Sequence, residues 1–446
     1  APLSRLGGRG AGGGGQPPNH RSGKKTITRK DRQQSQSGAR RARHIVGLDL
    51  GSQAIKALMA RVEPDGALSF VAGGEFPSEG IREGMVSAPE QASAALVDAL
   101  EALEQASGTR VLSAYVAVGG SLVRSQATHA QTPVSQPDQE ISLREVEQVI
   151  GAARSPSAVN ARSEQLHVIP RGYSIDGVSG IPNPVGMVGF ELAVDTCIVT
   201  APLAVTQNLV RLLNATETAP DDLIAGPLAA GESVRAQAEL GLPFAVVDVG
   251  AQTTGLAIYA DGAIWQCDCL PLGGDAVTRQ MAHKLRLSFE IAETLKRRYA
   301  TCLASHAPED ELIEMEPISG ADELLPARLL AEIAADGARE LAAALLAQFQ
   351  RAQRMGVRPA ALLLTGGGGE LEGLDALLAS ILRIPVEVAR PSELAGAPPP
   401  LTRPAFAVAT GLLLLGARQR RRVAPRQPTR TAPFIADLRR LFTVQR

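Results

Sequence analysis

Two stretches decide how this chain is read: His44-Ile-Val-Gly-Leu-Asp-Leu-Gly-Ser52 and Phe244-Ala-Val-Val-Asp-Val-Gly-Ala-Gln-Thr-Thr254. Each is an apolar run that ends in Asp-x-Gly and a polar turn, as a buried strand entering a tight hairpin does. Asp49 and Asp248 are 199 residues apart, and so are Gly51 and Gly250. A second strand follows each turn, at Ala54–Arg61 and up to Tyr259. Asp65-Gly66 and Asp261-Gly262 then mark further hairpins leading to strands near Leu68–Gly73 and Ile264–Leu270. One unit occurring twice predicts two half-molecules of the same architecture. A tight glycine turn lets backbone amides approach a phosphate. An Asp at a strand end suits Mg²⁺, which keeps several waters and takes few carboxylates. Lys56 lies within reach of phosphate oxygens, and Gln252, Thr253 and Thr254 supply amide and hydroxyl groups. The pair is therefore expected to clamp a polyphosphate and its metal, with Asp49 and Asp248 holding Mg²⁺ through water. The competing reading is two ordinary hairpins in an unrelated α/β protein.

Further motifs follow outward from these turns. Leu272-Gly273-Gly274-Asp275 closes the second unit before a helix, and Thr365-Gly366-Gly367-Gly368-Gly369 follows the apolar strand Ala360–Leu364. Four glycines exceed what a plain strand-to-helix turn requires, so the loop is expected to lie flat against a base or phosphate. Glu293 and Lys296 share a helix face and read either as ribose ligands or as an ion pair. Helical periodicity marks 89–107, 203–218, about 276–287, 289–300, 326–354 and 405–416. Ser142 and Glu145 form a capping box for a helix over 142–153, and strands are expected at 111–118, 166–178 and 190–199.

Charge is distributed unevenly. The net charge is −1, yet residues 1–44 carry +10, residues 418–446 carry +8 and the body between them −19. An acidic body argues against nucleic-acid binding, and the basic ends suit an anionic surface. Residues 1–43 are Gly, Arg, Ser and Gln with little apolar content, and read as a disordered basic tail. Four cysteines (Cys197, Cys267, Cys269, Cys302) form neither a disulfide framework nor a zinc pattern. No apolar run reaches 18 residues, and the N-terminus lacks the apolar core of a secretory signal.

The ordered set of twin Asp-x-Gly turns, Gly-Gly-Asp and Thr-Gly-Gly-Gly resembles the actin and sugar-kinase ATPase superfamily. Within it the chain resembles the family of the bacterial cell-division protein FtsA. The resemblance rests on Ile45–Lys56, Leu270–Thr278 followed by Ala292–Lys296, and Pro404–Leu413. It implies an α/β fold of two duplicated RNase H-like halves around a nucleotide cleft. It also implies ATP and Mg²⁺ as cofactors, contacted by Asp49, Gly51, Ser52, Lys56, Asp248, Gly250, Gln252, Thr253, Thr254, Gly273, Gly274, Glu293, Lys296 and Gly366–Gly368. Gln252 is the weak candidate for activating an attacking water, and ATP binding is better supported than turnover. Gly84-Met85-Val86, Val116–Gly120 and Ile141–Ile150 resemble the family's inserted subdomain, which joins neighbours in a filament. The implied organisation is half I over 44–84 and 166–240 with the insertion at 85–165. Half II follows over 241–275 and 346–400, with a small subdomain at 276–345 as candidate docking site for the FtsZ tail. A last core helix takes 401–417, a basic Pro-rich linker 418–432 and an amphipathic helix 433–446. The function implied is a scaffold that polymerises on the cytoplasmic face of the inner membrane, anchors FtsZ filaments at the septum and recruits later division proteins. The alternatives are an actin-like scaffold of type IV pilus assembly and a soluble sugar-kinase-like phosphotransferase.

The last segment supports the membrane part of that reading. Phe434, Ile435, Leu438, Leu441 and Phe442 fall on one helical stripe, with Arg439, Arg440 and Arg446 elsewhere and Pro433 suited to the first turn. Such a helix lies in the interface of an anionic bilayer, where Phe434, Ile435, Leu438, Arg439, Leu441 and Phe442 would make contact. Full burial of five large apolar side chains contributes at most ~8–15 kcal/mol. Ordering the segment offsets much of that, at ~1–2 kcal/mol per residue. One helix is thus a weak anchor, and a row of them on a polymer a strong one.

Overall fold

The computed structural model describes residues 44–423 except 137, 155–161, 239–240, 306, 308–309, 316–317, 319 and 321–323. The predicted tail 1–43 and amphipathic helix 433–446, with its six membrane-facing residues, lie outside the described residues.

The chain opens with strands β1 (His44–Leu50), β2 (Ala54–Val62) and β3 (Leu68–Pro77) and a short hairpin, β4 (Ile81–Arg82) and β5 (Met85–Val86). Helix α1 (Pro89–Ser107) crosses to β6 (Ser113–Val118). Strand β7 (Arg124–Pro133), helix α2 (Leu143–Ala153) and strands β8 (Ser163–Ile175), β9 (Val178–Ile181) and β10 (Glu191–Pro202) come next. Helix α3 (Leu203–Ala215) leads to β11 (Ala219–Ala225), and α4 (Gly226–Val234) follows. The second half has β12 (Phe244–Val249), β13 (Thr254–Ala260), β14 (Ala263–Leu270), α5 (Asp275–Leu285) and α6 (Phe289–Tyr299). It continues through β15 (Leu312–Glu314), β16 (Leu324–Pro326), α7 (Ala327–Arg354), β17 (Ala361–Thr365), α8 (Leu374–Leu382), β18 (Val386–Val388) and α9 (Ala407–Val423).

The duplication expected from the twin turns is present in the topology. The first sheet runs β3-β2-β1-β6-β11 and the second β14-β13-β12-β17-β18, so both read third, second, first, fourth, fifth strand. In both, the first three strands are antiparallel and the last two add in parallel. The apolar runs of β1 and β12 are buried because each occupies the middle of its sheet. Helix α9 lies close against β1, since a Cβ on Gly47 would sit 2.7 Å from the Ala409 carbonyl oxygen.

The inserted subdomain does not occupy 85–165. Helix α1, inside that range, packs on β2 and β3 and buries Leu96, Leu100 and Leu103 in the first core. The separate unit is a sheet ordered β7-β10-β8-β9, over 124–202, covered by α2. Its own core holds Ile141, Val146, Val149, Tyr173, Leu192 and Val194. The capping box of α2 is present, with Arg144 N–H donating to Ser142 Oγ at 3.2 Å and Ser142 N–H to Glu145 at 3.1 Å.

Although this sheet is inserted in the first half, it docks on the edge strand of the second. Cys269 N–H donates to Val123 O at 3.1 Å, and Ser125 N–H and Oγ–H both donate to the buried Asp268 carboxylate, at 2.6 and 2.9 Å. Arg351, from α7, completes the clasp at 2.9 Å, and the Arg171 guanidinium lies 4.7 Å over the Trp265 ring.

The last helix is longer than expected. A linker is expected at 418–432, but α9 runs on to Val423, and Arg418, Arg420 and Arg421 bind the body. Arg418 pairs with buried Glu232, and Arg420 pairs with Asp221 at 3.1 Å. Acidic groups on α4 and β11 thus hold what composition alone presented as a polar linker.

Candidate functional site

Both turns face one cavity of about 800 Å³ between the two sheets. Strand β1 delivers Asp49 opposite Lys56 of β2, and β12 delivers Asp248 opposite Gly255 of β13. Asp49, Gly51, Ser52, Lys56, Asp248, Gly250, Gln252, Thr253, Gly274, Glu293, Lys296, Gly367 and Gly368 all line it. No hydrogen bond among the described residues reaches either carboxylate. Burial pushes Asp248 up to about 7, with Asp49 adding to the rise and Lys56 opposing it. Asp49 rises for the same first reason, again against Lys56. Two half-buried carboxylates that line one cleft are costly to keep charged unless a cation joins them.

The turns also share a protein contact. Glu83 N–H donates to Gln252 Oε1 at 2.8 Å, and Gly84 N–H to Ser52 Oγ at 3.4 Å. One tight loop of the first half therefore touches both hairpins. Gln252 is thus held across the cleft by its side-chain oxygen.

Behind the second turn, backbone bonds fix the start of α5. Gly274 N–H donates to Gly250 O at 2.9 Å and Asp275 N–H to Ala251 O at 2.8 Å. Lys296 Nζ donates to Gly274 O at 3.1 Å and Thr278 Oγ1 at 2.8 Å, and pairs with Glu293 at 2.6 Å. Burial lifts Glu293, but the Lys296 charge and hydrogen bonds from Lys296, Thr278 and Arg297 outweigh it and leave the group at about 2. Gln53 Nε2 reaches Glu293 at 3.3 Å, a second link between the halves. The ion-pair reading of Glu293 and Lys296 thus describes their geometry.

Three expected residues have structural work instead of a place on the cavity wall. Thr254 is buried, and its hydroxyl donates to Leu272 O at 2.7 Å. Gly273 lies against the second turn, where a Cβ would stand 2.5 Å from Ala251 O. Gly366, at φ +85°, lies so close to the second hairpin that a Cβ would stand 2.4 Å from Asp248 Oδ1. Two glycines of the four-glycine loop are set by protein contacts, since a Cβ on Gly368 would meet Val249 Cγ1 at 2.6 Å.

Several lining residues escaped the sequence reading. Arg403 pairs with Glu75 of β3 at 2.9 Å and Glu370 beyond the glycine loop at 3.5 Å. Gly226 and Pro227 bring the start of α4 to the cavity. Nothing in the local pattern around Arg403 marks it. Helix α4 is hidden in sequence by two glycines, and it forms because all nine of its residues are buried.

Comparison with known proteins follows the same lines. A family model described as cell division protein FtsA matches residues 245–411, and one described as the SHS2 domain inserted in FtsA matches residues 120–200. The second range is close to that of the inserted sheet. The cell division protein FtsA of Pseudomonas aeruginosa is 32% identical over 373 residues, covering 83% of this chain and 89% of the relative. The protein of that name from Escherichia coli K12 is 30% identical over 382 residues, covering 83% and 90%. Among solved structures, a PilM-PilN type IV pilus biogenesis complex superposes with a TM-score of 0.61 at 22% identity. It covers 84% of this chain and 98% of the other, and shows the shared fold alone.

Proposed function

The chain belongs to the FtsA family of bacterial cell-division proteins, as an actin-like member with that family's inserted subdomain, and from this we propose that it binds ATP with Mg²⁺ between its twin turns and tethers FtsZ filaments to the inner membrane. The observation that carries the nucleotide part is the convergence of Asp49 and Asp248 on one cavity from duplicated sheets. The residues fit such a ligand. Two carboxylates without hydrogen-bond donors suit a hydrated divalent cation, and Lys56 with the turn amide of Gly51 suits phosphate oxygens. When bound, the metal would neutralise polyphosphate charge and relieve the Asp49–Asp248 repulsion. Gln252 and Gln53 would hold the halves together around it.

The remaining parts rest on surfaces. Val178, Val188 and Phe190 of the inserted subdomain are each about two-thirds exposed, at 67%, 65% and 67%, and suit the contact between neighbours in a filament. Phe289, Tyr299, Leu312, Leu324 and Leu329 are exposed on the small subdomain, 276–345, and suit the FtsZ tail. The amphipathic stripe of Phe434, Ile435, Leu438, Leu441 and Phe442 suits the cytoplasmic leaflet. Recruitment of later division proteins at the septum follows from the same family reading.

The test is equilibrium titration with a fluorescent ATP analogue and Mg²⁺. Asp248→Asn and Lys56→Ala are each expected to weaken binding at least tenfold. Unchanged binding in the double variant refutes the assignment.

A further inference from the structure

We propose that Arg403 is a positioning residue for the nucleotide site: by holding Glu75, it keeps the Lys56 ammonium free to meet phosphate. The ligand's identity rests on the nucleotide reading above, and the rest on the charges alone. Three charged residues form a row across the first sheet. Asp49 of β1 is the register partner of Lys56 of β2, and Lys56 that of Glu75 of β3. Residues directly opposite on antiparallel strands point to the same face, and all three line the cavity. Arg403 and Glu370 continue the row towards the second half. Arg403 pairs with Glu75 at 2.9 Å and with Glu370, at the end of the glycine loop, at 3.5 Å. The signs alternate from Asp49 to Glu370, and Lys56 stands between two carboxylates that could each claim it.

The Glu75 carboxylate is committed elsewhere. Among the described residues its salt bridge goes to Arg403. Lys56 Nζ lies at the first turn instead, 3.7 Å from where a Cβ on Gly51 would stand. That is the turn whose amide suits phosphate. The Arg403 guanidinium is aimed by its own fork: Nε donates to Pro400 O at 3.1 Å, which leaves the two Nη groups for the carboxylates. The backbone beyond it is equally fixed. Pro404 O accepts from Thr365 Oγ1–H at 3.2 Å and from Gly366 N–H at 3.1 Å, and Ala405 N–H donates to Glu370 at 3.4 Å. The side chains of Arg403, Glu75 and Glu370 are 43%, 39% and 31% exposed, so the two pairs add little to stability. Their consequence is where they leave the charge. Without Arg403, Glu75 faces Lys56 across the β2–β3 pairing, and an ion pair there would draw the ammonium away from the turn.

The test takes two readouts on the full chain. One is titration with the fluorescent ATP analogue and Mg²⁺. The other is acetylation of Lys56 by acetic anhydride without nucleotide, followed by peptide mass spectrometry. Arg403→Gln is expected to weaken analogue binding about tenfold, the effect of one charge-assisted hydrogen bond at a partly exposed site. It should also slow Lys56 acetylation about threefold, because an ammonium paired with a carboxylate presents less free amine. Adding Glu75→Gln removes the rival carboxylate and should return both readouts to near the parent's. A merely structural role predicts the opposite labelling result, since loosening exposes Lys56 and speeds its acetylation. Unchanged analogue binding in Arg403→Gln overturns the proposal, and so does unchanged or faster acetylation. A loss of binding that Glu75→Gln fails to rescue also overturns it, and makes Arg403 a direct ligand contact. If the parent itself does not bind the analogue, the nucleotide reading fails, and the labelling series still decides whether Arg403 governs Lys56.

Discussion

Gly366→Ala measures how tightly the glycine loop and the second acidic turn depend on each other. At φ +85° and ψ 163°, Gly366 occupies backbone space that is essentially glycine-only, which costs about 1–3 kcal/mol for another residue. The added Cβ would also stand 2.4 Å from Asp248 Oδ1, 2.5 Å from Val249 O and 2.7 Å from Val249 N. Two of those atoms are backbone of β12, so relief requires moving a central strand or the loop. Overpacking of that kind costs roughly 1–3 kcal/mol more. The expected sum is about 2–6 kcal/mol, with the lower half favoured because the loop can shift. That shift pushes on Asp248, so binding of the fluorescent ATP analogue should fall at least tenfold. Gly367→Ala is the control. Its Cβ would meet only Ala405 Cβ, at 3.7 Å, and its φ is not positive, so its stability should stay within about 1 kcal/mol of the parent. Urea unfolding and analogue titration on the three proteins give both readouts. A Gly366→Ala protein that unfolds at the parent's midpoint and binds as the parent does would refute the reasoning.

The other expectations concern charge and contact. Arg418→Met leaves Glu232, 2% exposed, with Arg235 alone, and should cost roughly 3–5 kcal/mol; adding Glu232→Gln should recover most of it, as a urea midpoint would register. His167 Nε2 accepts Ala225 N–H at 3.0 Å, and burial holds the ring down at about 4, below its ordinary value. Its neutral form is the folded one, so its stabilisation is complete above pH 6.5 and is lost as pH falls through 6.5 towards 4, by up to roughly 3 kcal/mol. His167→Gln should flatten that part of the urea midpoint against pH, and an unflattened curve counts against it. Phe190→Glu should lower pelleting of nucleotide-loaded polymer on lipid while leaving the urea midpoint within about 0.5 kcal/mol.

What was legible in the sequence is what physics makes local. The twin turns were visible because a central strand must be apolar and its turn must be small, and 199 residues separate two copies of that requirement. Strand β7, Arg-Ser-Gln-Ala-Thr-His-Ala-Gln-Thr-Pro, was not visible because it is an edge strand with mostly solvated side chains. Missing it displaced the inserted subdomain towards α1. Helix α4 was hidden because Gly226 and Gly231 serve packing against other elements, and a Cβ on Gly231 would stand 2.0 Å from the Tyr259 hydroxyl. The arginines of α9 resembled a solvated linker because their acidic partners lie about 200 residues earlier in the chain. Thr254 had the right chemistry for a ligand contact and the wrong direction, which only the β13–β14 pairing decides.

The clasp at Asp268 makes the insertion a tiller. By connectivity it belongs to the first sheet, but Ser125, Asp268 and Arg351 lash it to the rim of the second. A swing of one half relative to the other must pull on both moorings, and the exposed tip bearing Val178 and Phe190 turns with it. The bearing of that tip thus follows the opening angle of a cleft it does not line.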